Sequence, residues 1–230
     1  MKKTIAFALI LTSVLVLVSC GNNSKKAQAE AEAAEALAQA QADSIAMAKE
    51  KTAMEKLATL PAEPMFDIVT NYGTIRIKLY EDTPKHRENF AKLALTGFYD
   101  GILFHRIING FMIQCGDPLT KDPEKADLYG TGGPGYTVEA EILPNHGHKK
   151  GALAAARRGD AANPMRESSG SQFYLVQDEY ACSHLDGQYT VFGETVDGLK
   201  TIDKIAAVAT DGRDKPLEDV KIVSVKLVEE

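Results

Sequence analysis

The chain of 230 residues has no Trp and three Cys, and its aromatics are limited to eight Tyr and eight Phe. Its 26 Lys and Arg are outnumbered by 32 Asp and Glu, giving a net charge of −6, and they form no stripe. That speaks against nucleic-acid binding, which needs clustered cations to meet phosphates. Three cysteines cannot make a disulfide framework. His146 and His148 form a lone His-x-His with no third metal ligand, so both read as solvated loop histidines. Gly130 to Gly135 is glycine-rich but lacks the Lys-Ser/Thr of a phosphate loop and reads as turn-forming backbone. No nucleophile stands beside a base, and neither a metal nor a cofactor is expected.

Long apolar runs are also missing, except at the start. Met1-Lys2-Lys3 precedes an apolar stretch from Ala6 to Val18, which is shorter than the span of about 20 residues that crosses a bilayer. The pattern is that of a secretory signal. It ends Leu17-Val18-Ser19-Cys20-Gly21, which resembles a bacterial lipobox, the motif whose Cys becomes the first mature residue and carries the lipid. An ordinary signal with a chance Cys is the alternative. The lipobox reading makes residues 1–19 the signal peptide and Cys20 the lipid attachment site. It places the protein in the cell envelope, anchored to a membrane and facing the periplasm. Cys115 and Cys182 remain. They read as two free, partly buried thiols, with a disulfide as the alternative in an oxidising compartment.

Glycine and proline are absent from Ala27 to Leu60, where Ala, Glu, Gln and Lys dominate. These are strong helix formers. Larger apolar residues are few (Leu37, Ile45, Met47, Met54 and Leu57), and no heptad is sustained. Residues 20–64 therefore read as a single helical spacer, ended by Pro61 and Pro64. A full helix would hold the next domain roughly 45–50 Å from the membrane.

From Met65 the texture changes. Phe66–Thr70 and Thr74–Tyr80 flank Asn71-Tyr72-Gly73, and Ile75, Ile77 and Leu79 alternate onto one face, which predicts a β-hairpin. Thr83-Pro84 predicts a capped helix start, Phe90, Leu93 and Ala94 its buried stripe, and Gly97 its end. Short apolar segments follow. A second helix is expected near Gly198–Val208 with Leu199, Ile202 and Ile205 inside, and a closing strand near Val220–Val228. Many short strands with two isolated helices argue for an antiparallel barrel or sandwich.

Two segments carry the chemistry. Phe104 to Asp117 reads FHRIINGFMIQCGD, and Gly170 to Val176 reads GSQFYLV. Together they describe a pocket that holds an apolar ring while one guanidinium and one amide act on a neighbouring peptide group. In this order and spacing they resemble the cyclophilin family of peptidyl-prolyl cis–trans isomerases, over Met65 to Glu230. The resemblance implies a mainly-β domain at 65–230, an eight-stranded antiparallel closed barrel capped by two helices. It implies rotation about Xaa–Pro bonds in Pro-containing peptides, without a cofactor, and with the lipobox reading the expected clients are unfolded exported proteins.

By the same resemblance Arg106 would donate to the prolyl nitrogen, Gln114 would help orient it and the substrate, and Gln172 would contact the substrate. Phe111 and Met112 would floor the proline pocket, with Tyr174, Leu185 and Tyr189 as its walls. Ala156 and Arg157 fall where the family pairs backbone with the substrate chain, although Arg157 replaces the usual Asn. His184 stands where the best-known eukaryotic members have Trp, which argues against tight cyclosporin binding more than against catalysis. Tyr189 replaces a pocket His, and Gly159 to Glu167 lengthens a loop. His105, beside Arg106, reads as a buried, hydrogen-bonded structural histidine. The rival readings are a non-catalytic module that grips Pro-containing segments, and an envelope protein that oligomerises through the spacer.

Overall fold

The structure, a computed structural model, describes residues 23–229. The expected signal peptide at residues 1–19 and the expected lipid site Cys20 lie outside these residues. Helix α1 (Asn23–Leu57) is built from the strong helix formers noted above, and Leu37, Ile45, Met47 and Met54 are all exposed on it. The residues before Ala48 form one compact unit and those from Ala48 onward a second. Within the second unit the last turns of α1 bury Ala53 and pack Leu57 against the main core, and Lys56 pairs with Glu229 at 2.9 Å. The helix stops at Leu57 rather than Leu60, because the residue before Pro61 is pushed out of the α region. The Thr59 N–H accordingly donates to Lys56 O, a tightened final turn.

Strands β1 (Met65–Thr70) and β2 (Gly73–Leu79) form the expected hairpin, with Thr70 opposite Gly73. Alternation buries Phe66, Ile68, Ile75, Ile77 and Leu79, and leaves Arg76 and Asp67 paired across the outer face. Helix α2 (Pro84–Leu95) buries Phe90, Leu93 and Ala94 as the periodicity predicts. Its cap differs from expectation. The Thr83 hydroxyl donates to Tyr80 O, and the free N–H groups of Lys85 and His86 donate instead to Glu141, a carboxylate supplied from a distant loop. Gly97, at φ +76, ends the helix in the left-handed region that glycine adopts without strain.

The chain continues through β3 (Arg106–Ile108), β4 (Met112–Cys115), β5 (Thr137–Val138), β6 (Ala152–Ala155), β7 (Ser168–Ser169) and β8 (Phe173–Val176). After these come α3 (Glu179–Cys182), β9 (Val191–Asp197), α4 (Leu199–Ala206) and β10 (Ile222–Leu227). Eight strands make one antiparallel sheet in the order β10-β1-β2-β9-β6-β8-β4-β3, and β5 pairs with β7 in a separate ribbon. The sheet is an open, strongly curled half-barrel, not the closed barrel expected. Its edge strands β3 and β10 share no ladder. They are linked only through the irregular chain entering β3, by the isolated bridge between Leu103 and Lys221 and a few backbone bonds around Ile222.

Inside the curl, Phe66, Ile113, Leu153, Phe173 and Leu175 join Phe90 from α2 and Ile202 and Ile205 from α4. Leu199, expected on that inner face, sits at the first turn of α4 and is 38% exposed. The period-2 rule then dictates the other side of the same strands. Met112, Ala154, Tyr174 and Val176 point outward into a second apolar cluster. No helix among the described residues is long and apolar enough to cross a membrane.

Candidate functional site

The outer face of four adjacent strands, β3, β4, β8 and β6, sets the site. Arg106 lies directly opposite Gln114 in the β3–β4 register, Gln114 opposite Tyr174 in β4–β8, and Tyr174 opposite Ala154 in β6–β8. Arg106, Gln114 and Tyr174 therefore form one row, and Met112, two residues before Gln114, shares its face. The second apolar cluster gathers Met112, Ala156 and Tyr174, with Phe111, Leu185 and Tyr189 packed against it. His184 stacks on Phe111 at 6.0 Å between ring centroids. The Phe111 carbonyl is pinned by the N–H groups of Gln177 and Asp178. The structure thus brings Arg106, Gln114 and Gln172 to the edge of the apolar group formed by Phe111, Met112, Tyr174, Leu185 and Tyr189.

The polar members are held unequally. The Arg106 side chain is 43% exposed, with its Nε 3.5 Å from Asp214 Oδ2. The Gln114 Nε2 amide donates to Gln172 Oε1 at 3.1 Å, and Gln172 itself is buried. Arg157 is not a free cation in the pocket. Its side chain is 3% exposed, its guanidinium lies over the Tyr189 ring at 4.5 Å, and it donates to Gln188 O and Asp160 Oδ1. A clamped planar cation of this kind acts as wall. The Ala156 N–H donates to Gln172 O, and Ala156 O accepts from Ser169 N–H, so both backbone groups are already engaged inside the protein.

A cavity of about 870 Å³ lies between the glycine-rich turn and the loop that follows Ala156. Gln114, Gln172, Ala156 and Arg157 line it, whereas Arg106, Phe111, Met112, Leu185 and Tyr189 do not. The second apolar cluster and the cavity share Ala156.

Three histidines depart from expectation. His148 is not solvated: its side chain is fully buried between Asp186, at 2.7 Å from Nδ1, and the Tyr174 hydroxyl, at 2.8 Å from Nε2. A carboxylate only accepts, so Nδ1 carries the proton and Nε2 accepts from Tyr174. Burial lowers the His148 pKa, against the opposing pull of Asp186. This prop under Tyr174 had no sequence signal, since Asp186 is 38 residues away. Tyr174→Phe leaves His148 Nε2 buried without a partner. It is expected to cost about 1–3 kcal/mol in urea unfolding, and an unchanged midpoint would contradict the prop. His146 is also engaged, paired with Asp82 and stacked on Tyr80 at 4.0 Å. His105 is buried as expected, but neither ring nitrogen has a partner among the described residues.

Cys115 and Cys182 are both free and buried, and burial pushes the Cys182 thiol up to about 12. No group of three or more metal-ligating side chains occurs among the described residues.

A family model described as cyclophilin type peptidyl-prolyl cis-trans isomerase/CLD matches residues 65–227. The chain is 36% identical over 173 residues to "peptidyl-prolyl cis-trans isomerase-like 1" of Aspergillus fumigatus, a match covering 74% of this chain and 98% of that protein. It is 36% identical over 167 residues to "peptidyl-prolyl cis-trans isomerase-like 2" of Rhizopus delemar, covering 70% of this chain but only 28% of that longer protein. The crystal structure of a cyclophilin type peptidyl-prolyl cis-trans isomerase from Cryptosporidium parvum superposes with a TM-score of 0.65 at 29% identity, over 73% of this chain and 99% of that one. The same Cryptosporidium protein crystallised in the presence of the dipeptide Ala-Pro matches with a TM-score of 0.64, also at 29% identity, over 72% of this chain and 99% of that one.

The fold is cyclophilin-like. The chain belongs to the cyclophilin-type peptidyl-prolyl cis–trans isomerases, the enzymes that interconvert cis and trans Xaa–Pro bonds. The relatives named are eukaryotic and lend no support to a bacterial lipoprotein form, which rests on the pattern of residues 1–21 alone.

Proposed function

We propose that this chain isomerises Xaa–Pro bonds by Arg106-assisted twisting of the amide. The apolar group of Phe111, Met112, Tyr174, Leu185 and Tyr189 takes the proline ring, and Gln114 and Gln172 orient the chain beside it. The observation that supports this reading is the β3–β4 register, which pairs Arg106 with Gln114, two residues from Met112 of that apolar group. Rotation breaks no covalent bond. Its barrier of about 18–20 kcal/mol is lost amide conjugation, so a donor aimed at the prolyl nitrogen's emerging lone pair stabilises the twisted state without proton transfer. A buried His105 without partners among the described residues is no obstacle to such a mechanism. Substoichiometric protein is expected to accelerate the proline-limited refolding phase of a model protein. A folded protein that leaves that phase unchanged at equimolar concentration contradicts the proposal.

The clients we propose are unfolded exported proteins, met at the envelope by a protein anchored through a lipid on Cys20. The lipobox-like Leu17-Val18-Ser19-Cys20-Gly21 and the Ala/Glu-rich helix that follows support this reading, with residues 20–64 as spacer and 65–230 as the catalytic domain. Wild type expressed in a bacterium should then incorporate labelled palmitate and Cys20→Ser should not. Equal labelling of the two would refute the anchor.

A further inference from the structure

Asp117 is fully buried, two residues beyond the end of β4, and no side-chain cation pairs with it among the described residues. Its carboxylate is occupied by backbone instead. Oδ1 accepts from Leu119 N–H at 2.8 Å, and Oδ2 accepts from Gly130 N–H at 2.5 Å and Gly132 N–H at 3.1 Å. One carboxylate thus binds its own turn to the glycine-rich turn 13 to 15 residues later. The glycines permit this approach. A Cβ on Gly132 would collide with Asp117 Oδ1, and Gly130 stands at φ +90.

The other side of that turn faces Gln172. Gly130 O and Gly132 O both accept from Gln172 Nε2, at 3.0 and 2.8 Å. Two carbonyls can only accept, so they fix the amide with its NH₂ toward the turn and its oxygen away from it. Gln172 Oε1 then accepts from Gln114 Nε2. That in turn fixes Gln114 with its own NH₂ toward Gln172. Its Oε1, which has no partner among the described residues, is left for Arg106 across the strand pair or for a substrate N–H.

We infer that Asp117 is a positioning residue for prolyl isomerisation. By locking the glycine-rich turn it sets the amide orientation of Gln172, and through it that of Gln114. The inference rests on the proposed reading of Arg106 and Gln114 as the acting pair. An Asn at this position would keep the shape but replace one acceptor oxygen with a donor facing backbone N–H groups, so the turn would lose part of its anchor.

The test is a double-mutant cycle on the full chain, read as kcat/KM for an Xaa–Pro peptide, with Arg106→Ala as control. Asp117→Asn is expected to lower kcat/KM about tenfold in the wild-type background, and less than about twofold where Gln172→Ala has already broken the relay. A general loss of structure would reduce the rate by the same factor in both backgrounds. That result, or full activity of Asp117→Asn, overturns the inference. If Asp117→Asn does not fold, Gly132→Ala displaces the same turn and the cycle is run with it, with the same criterion. An inactive wild type overturns both this inference and the site reading. Arg106→Ala at full rate overturns the site reading and with it this inference, whereas full activity of Asp117→Asn beside an impaired Arg106→Ala overturns the inference alone.

Discussion

Replacing Arg106 by alanine is expected to lower kcat/KM for Xaa–Pro isomerisation by about 10²–10³ while leaving the protein folded. Uncatalysed exchange takes tens of seconds, and each tenfold acceleration needs about 1.4 kcal/mol of transition-state stabilisation. The proposed pocket can supply that in few places. Its floor is apolar, the Gln172 amide hydrogens are spent on the glycine-rich turn, and Arg157 is clamped over Tyr189. Arg106 is the charged donor left at the border, and its side chain is 43% exposed with one long contact to Asp214. Its removal therefore creates no cavity and strands no deeply buried charge. The thermal midpoint should move by no more than surface substitutions usually cause. Arg106→Lys keeps the charge but loses the planar fork, so most of the rate should still be lost. A folded Arg106→Ala variant within threefold of wild type would show that the guanidinium is not the acting group.

The second large effect concerns stability in acid. His105 is buried, and desolvation brings its pKa down from 6.5 to about 4. Asp117 opposes that shift and Arg106 adds to it. Above about pH 6.5 the ring is neutral whether the chain is folded or not. As pH falls toward 4 the unfolded chain takes up a proton that the native state refuses, so stability drops. The full difference amounts to about 3 kcal/mol. Guanidinium unfolding of wild type at pH 7.5 and at pH 4 should show this loss, superimposed on that of the carboxylates. His105→Leu should show a loss smaller by about 3 kcal/mol. Equal pH dependence in the two proteins would mean that His105 finds a partner in solution. The same neutrality serves the site, since a protonated His105 would place a second cation beside Arg106.

Local periodicity made much of the domain legible. Strict alternation in Thr74–Tyr80 placed β2 on its correct face, and Phe90, Leu93 and Ala94 defined the inner stripe of α2. The candidate row was legible in a different way. FHRIINGFMIQCGD holds both partners of the β3–β4 register, so Arg106 and Gln114 come together through one short hairpin. Features that depend on distant chain were hidden. The sheet remains open because the segments near Leu103 and Lys221, more than a hundred residues apart, meet in a single bridge. Thr83 looked like a cap, yet Glu141 does the capping from 55 residues away. Arg157 read only as a substitution for Asn at a backbone-pairing position, and nothing near it in sequence announces that Tyr189 and Gln188 clamp its side chain. His148 looked solvated because nothing nearby in sequence announces Asp186 and Tyr174. In each case a polar group was satisfied by a partner that only the fold supplies.

The central claim is that this pocket accelerates rotation rather than merely gripping proline. Exchange spectroscopy on an Xaa–Pro peptide, with substoichiometric protein, measures cis–trans interconversion and binding together. The account predicts cross-peaks between cis and trans resonances that appear only with wild type and fade with Arg106→Ala. Binding-induced shifts in both isomers with no gain in exchange would contradict it and leave a proline-binding module in its place.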